Sequence, residues 1–170
     1  MRRRGALVLG LGGLAAVAGF AAAWRGLSAP EVSSEVATLR FKRLGGGELT
    51  LGDLRGGPVL LNFWATWCAP CVVEMPMLAR FQREHRKAGW QVLGLALDNE
   101  PAVQKFVTER GIDFPIVLGG ADGLQLARTL GNTQGGLPFT VAFDASGRIS
   151  ATRLGVLDEK TLATWAAKAG

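Results

Sequence analysis

The sequence predicts an α/β fold: a mixed central β-sheet flanked by helices, led by an N-terminal β-hairpin and, ahead of that, a membrane or signal segment. Three observations carry this reading. Short apolar runs suited to buried strands alternate with stretches of helical periodicity. Their order is βαβα followed by ββα with short connections, an arrangement that packs helices onto a mixed sheet. Of the 170 residues, 48% are hydrophobic and 19% charged, enough apolar matter for one core and too little charge for a disordered chain.

The chain opens with Met1-Arg2-Arg3-Arg4 and then an uncharged run, residues 5–24, closed by Arg25. As a helix that run would rise about 30 Å, the thickness of a hydrocarbon core. The excess of arginine on its near side sets the N-terminus in the cytoplasm and everything after it outside. Ala21-Ala22-Ala23 would also suit a signal peptidase, so residues 1–27 read as a signal peptide or a signal-anchor helix. Residues 28–35, with Pro30 and three serines, read as a linker, and residues 36–170 as the folded domain.

Within that domain, residues 38–44 and 48–51 flank Gly45-Gly46-Gly47 and read as a short hairpin. Residues 59–64, Val-Leu-Leu-Asn-Phe-Trp, are almost continuously apolar, as a strand buried on both faces must be. Over residues 71–87, Leu78, Phe81 and His85 recur at spacings of three and four while Arg80, Arg83, Glu84 and Lys87 stay polar, so this segment is a helix. Residues 91–97 form the next buried strand. A helix over 102–110 begins after Pro101 and is closed by Gly111. A short strand at 116–118 and a helix at 123–130 follow. Residues 139–143 and 148–153 make a hairpin across Asp144-Ala145-Ser146-Gly147, and Asp158 caps a last helix running to Lys168.

Composition excludes several functions. The net charge of +5 owes three of its charges to Arg2, Arg3 and Arg4, and from Gly5 onward the balance is 16 basic against 14 acidic. The body therefore lacks the basic excess that nucleic-acid binding needs. Two cysteines cannot staple a small scaffold, and with His85 as the sole histidine they cannot complete a four-ligand zinc site. No metal and no bound cofactor is expected beyond the dithiol itself. His85 continues an apolar stripe and reads as a packing residue, Met75 and Met77 as core and groove packing, and Arg80, Arg83, Arg86 and Lys87 as a solvated helix face.

The chemistry concentrates in Trp67-Cys68-Ala69-Pro70-Cys71, where a buried strand hands over to a helix. Unpaired N–H groups and the positive end of the helix dipole lower the pKa of a thiol placed there, which makes Cys68 the attacking thiolate. Pro70 suits a first turn, where a missing donor goes unused. Cys71, less than one turn on and facing inward, can resolve the mixed disulfide. A structural disulfide closing so small a loop would remove little chain entropy, and half a metal site lacks its other ligands.

Residues 62–76, Asn-Phe-Trp-Ala-Thr-Trp-Cys-Ala-Pro-Cys-Val-Val-Glu-Met-Pro, followed by Gly136-Leu-Pro-Phe-Thr140, resemble the thioredoxin-like proteins of the TlpA/ResA type, exported thiol–disulfide oxidoreductases usually tethered to the outer face of the cytoplasmic membrane. The resemblance spans roughly residues 38–168. It implies a thioredoxin-like fold, a reductase of exported protein disulfides (cytochrome c maturation and metal-centre assembly are tasks of that family), and a membrane thiol–disulfide carrier as electron donor. It places Pro138 where the superfamily keeps a cis-proline facing the cysteines, presenting Leu137 to a substrate strand. Spacing alone would turn Glu74 to water as a first-turn acid; the resemblance makes it a buried carboxylate that moves the proton of Cys71. Asn62 stands where ordinary thioredoxins have a buried Asp and cannot itself shuttle a proton. Trp67 would shape docking at the rim.

Three other functions compete. A thiol peroxidase would need Thr or Ser three residues before its cysteine, but Ala65 precedes Cys68 and Cys68 precedes Cys71 at that spacing. Copper delivery would use both thiols as ligands. An inert tethered recognition module would be indifferent to losing either cysteine.

Overall fold

The computed structural model describes residues 34–54 and 56–168, so the expected signal or anchor segment and most of the linker lie outside the described residues. Among the described residues no helix is long and apolar enough to cross a membrane. The linker expected at 28–35 ends sooner, because Ser34–Ala37 already form a helical turn whose Val36 and Ala37 are buried.

Seven strands form one sheet in the order β2-β1-β5-β4-β3-β6-β7. They are β1 (Arg40–Arg43), β2 (Glu48–Thr50), β3 (Val59–Trp64), β4 (Gln91–Ala96), β5 (Ile116–Leu118), β6 (Phe139–Phe143) and β7 (Ile149–Leu154). Strands β3, β4 and β5 run parallel, and the two hairpins close the sheet antiparallel on either side. The mixed sheet flanked by helices is thus as the sequence predicts. The place of the first hairpin is not in the sequence: β1 pairs with β5, matching Lys42 to Leu118.

Strand periodicity splits the core into two layers. Leu60 and Trp64 of β3, with Val92 and Ala96 of β4, point to one face. Leu61, Phe63, Leu93 and Leu95 point to the other, as successive side chains must. Helices α1 (Ala69–His85), α2 (Glu100–Arg110) and α4 (Glu159–Lys168) supply apolar residues to the first face, among them Met75, Leu78, Val103 and Leu162. Helix α3 (Gly120–Thr129) covers the second with Leu126 and Ala127.

Several helix ends differ from expectation by one to three residues, while α2 ends at Arg110 before Gly111 and α4 at Lys168 as expected. Helix α1 begins at Ala69 because Cys68 is its N-cap, and it ends at His85 before a 3₁₀ turn, Arg86–Ala88. Helix α2 takes in Glu100 and Pro101, since Asn99 caps it by accepting from Ala102 N at 3.0 Å. Helix α3 starts at Gly120. Asp158 does cap α4, accepting from Thr161 N at 2.7 Å.

Candidate active site

Alternation along β3 decides what the site contains. Asn62 lies between Leu60 and Trp64 on the strand, so it faces the layer on which α1 packs. Strand β6 pairs antiparallel with β3 and sets Thr140 opposite Asn62. From above, α1 brings Glu74 three residues past Cys71, on the same side of the helix. The outcome is a buried polar cluster under the cysteines. Asn62 Nδ2 donates to Glu74 Oε1 at 2.7 Å and to Thr140 Oγ1 at 2.9 Å. Glu74 Oε2 accepts from Leu157 N at 3.0 Å.

Glu74 is 1% exposed, which overturns the water-facing acid that spacing alone would give. A helix position three residues after an inward cysteine is itself inward once the helix lies on a sheet. Burial pushes the Glu74 carboxyl above its ordinary value, and the hydrogen bonds from Leu157 N and Asn62 offset that only in part.

Cys68 and Cys71 form a disulfide. Cys68 retains 6% exposure and Cys71 none, so of the two cysteines only the first reaches the surface. Cys68 Sγ accepts from Cys71 N at 3.3 Å, the N-capping position at which orphan amides and the helix dipole favour a negative charge. Pro70 stands in the first turn, as expected.

The Leu137–Pro138 peptide is cis. Pro138 is buried and its carbonyl accepts from Gly155 N at 2.8 Å. Leu137 is half-buried and packs against both core layers. Trp67 is 69% exposed beside Cys68, and with Val73, Leu154 and Val156 it makes up the exposed large apolar side chains among the described residues.

Other candidates fall outside this group. His85 stacks on Phe81 with ring centroids 4.3 Å apart, and its Nδ1 lies 3.3 Å from the Phe81 carbonyl. Met75 is core, while Met77 packs at its margin. The basic face of α1 is exposed but partly paired, Arg80 with Glu159 and Arg83 with Asp113.

Thr140 and the Leu157 amide are members of the site that sequence reasoning did not single out. Thr140 closes the Gly-Leu-Pro-Phe-Thr motif, but strand register alone sets it against Asn62. The Leu157 amide carries no side-chain signal at all.

A model of the Redoxin family matches residues 25–167. The thiol-disulfide oxidoreductase ResA of Bacillus thuringiensis (strain Al Hakam) is 32% identical over 120 residues, covering 70% of this chain and 67% of the relative. ResA of Geobacillus kaustophilus (strain HTA426) is 33% identical over 137 residues, or 79% and 76%. Among solved structures, a thiol:disulfide interchange protein of the thioredoxin family from Chlorobium tepidum TLS aligns with a TM-score of 0.72 at 23% identity. It covers 84% of this chain and 98% of its own, a likeness of fold.

Proposed function

The chain belongs to the Redoxin family and is a thiol–disulfide oxidoreductase of the ResA type on a thioredoxin-like fold, and from that premise we propose that it reduces the disulfides of exported proteins through Cys68 and Cys71. The observation that carries the reading is the placement of the pair: the cysteine that reaches the surface caps α1 and the fully buried one lies within the first turn.

In the reducing direction the Cys68 thiolate attacks one sulfur of a substrate disulfide. A mixed disulfide forms and the other substrate sulfur leaves as a thiolate. Cys71 then gives up its proton and attacks Cys68 Sγ. This breaks the mixed disulfide, forms the Cys68–Cys71 bond and releases the second substrate thiolate. Glu74 takes the Cys71 proton. A carboxyl whose affinity for protons is raised by burial is the better base for a thiol, and the Asn62 bond keeps it in place. Trp67 and Leu137 form the docking surface, with the buried cis Pro138 presenting Leu137 to the substrate, and Pro70 and Asn62 support the active site.

Two electrons must return to the disulfide after each turnover. A membrane thiol–disulfide carrier supplies them, with the protein held at the outer face of the cytoplasmic membrane by residues 5–24 or released there after cleavage. The uncharged run after three arginines supports this location. Substrates in cytochrome c maturation or metal-centre assembly fit such a compartment.

The direction is tested by equilibrating the full chain in thiol buffers of known poise and trapping free thiols by alkylation. A potential near or below about −240 mV, close to thioredoxin, is expected of a reductase. A value near about −120 mV would make the protein an oxidant and overturn the direction. Failure to form the intramolecular disulfide at any poise would overturn dithiol exchange altogether.

A further inference from the structure

Asp98 lies just past the end of β4, outside the cysteine motif, and none of the steps above uses it. Its carboxylate is nevertheless saturated with donors. Oδ2 accepts from Thr66 N at 3.1 Å and from the Thr66 hydroxyl. Oδ1 accepts from Asn99 N at 2.7 Å and from Asn99 Nδ2 at 3.0 Å.

The position explains why such a grip matters. The parallel ladder between β3 and β4 ends with Trp64 opposite Ala96, followed by one more backbone bond from Leu97 N to Trp64 O at 2.8 Å. Beyond that point β3 turns away through Ala65, Thr66 and Trp67 to reach Cys68, and Cys68 N closes the turn on Ala65 O at 3.2 Å. Asp98 takes over where the ladder stops. Its one carboxylate joins the turn that delivers Cys68 to the strand end and, through Asn99, to the cap of α2. Helix α2 is fixed in turn by its buried Val103. Burial alone would raise the Asp98 carboxyl, but the bonds from Thr66 and Asn99 together hold it below the ordinary range, so the grip persists at neutral pH.

We propose that Asp98 is a positioning residue for thiol–disulfide exchange: by holding Thr66 it sets the turn that keeps Cys68 Sγ against the Cys71 amide, and thereby governs the reactivity of the Cys68 thiolate. The inference rests on Cys68 being the attacking thiol. Asp98 could also act directly through its charge, and the two effects have opposite signs. Removing a nearby negative charge favours a thiolate and lowers its pKa, whereas loosening the turn withdraws the amide and raises it.

The experiment is the pH profile of Cys68 alkylation by iodoacetamide, read by mass spectrometry on the reduced full chain. Asp98→Ala, Thr66→Val and the double variant are compared with the unaltered protein. Glu74, the other carboxyl at the site, is intact throughout. Asp98→Ala should move the midpoint up by about one pH unit, leaving about tenfold less thiolate at any pH well below both midpoints. Thr66→Val, which retains the charge, should move it the same way by less. The double variant should go no further than Asp98→Ala, since both cut one link. A midpoint that stays put or falls in both Asp98→Ala and the charge-retaining Thr66→Val, with circular dichroism and melting unchanged, would overturn the proposal. Should Asp98→Ala fail to fold, an unmoved midpoint in Thr66→Val would overturn it by itself. Preferential alkylation of Cys71 in the unaltered protein would sink the attacking-thiol assignment and this inference together, a signature separate from the others.

Discussion

Glu74 shows how one buried carboxyl ties chemistry to stability. It holds its two hydrogen-bond donors, Asn62 on β3 and the Leu157 amide ahead of α4, and burial raises its proton affinity above that in the unfolded chain. Between the ordinary glutamate value and the raised one, the folded state therefore binds more protons than the unfolded state. Stability must fall as pH rises through that window and level off above it. Glu74→Gln has no proton to lose, so its stability should be flatter there, as urea midpoints measured at a series of pH values would show. In turnover the same variant should slow release of the mixed disulfide while leaving attack by Cys68 nearly unchanged. A variant with the full pH slope would mean that Glu74 titrates like an exposed glutamate.

Elements owe their ends to a few residues. Cys68 caps α1 with its sulfur, so the group that starts the helix is also the proposed attacking thiol. Helix α2 runs from an Asn99 cap to Gly111, whose φ of +61° is left-handed. A Cβ at Gly111 would meet nothing within 4 Å, so a substitution there probes backbone conformation without packing. Gly111→Ala should cost about 1 kcal/mol, and Gly111→Asn less, because asparagine tolerates that region. Denaturant titration measures both. An alanine variant as stable as the parent would mean that the turn relaxes to another conformation at no cost.

Across the whole molecule, the frame under the site depends on close approach between distant segments. Gly57, ahead of β3, would place a Cβ 2.4 Å from the Gly89 carbonyl ahead of β4. Pro58 O accepts from Gln91 N at 2.9 Å beside it. Backbone cannot swing aside as a side chain can, so Gly57→Ala should destabilise by about 1–3 kcal/mol. It should leave the reduction potential unchanged, because the strain falls at the end of β3 remote from Cys68. A lowered melting temperature with an unaltered potential is the expected pair of results. An altered potential would mean that the two ends of β3 are coupled.

The sequence by itself determined the strands, the helices and the cysteine chemistry, because those are written in local patterns. A short, almost continuous apolar run bounded by turn residues reads as a strand buried on both faces, and two cysteines at a strand–helix junction can only be so far apart. Helix ends were less legible: Cys68 and Asn99 cap helices that periodicity alone starts two or three residues later. The contents of the site were decided by tertiary structure. Glu74 has the same spacing whether it meets water or Asn62, and only the packing of α1 on the sheet chooses between them. Thr140 meets Asn62 through antiparallel register, the Leu157 amide reaches Glu74 through a loop, and Asp98 reaches Thr66 because parallel strands end side by side. Each of these contacts joins residues far apart in the chain, where no local pattern in the sequence can report distance.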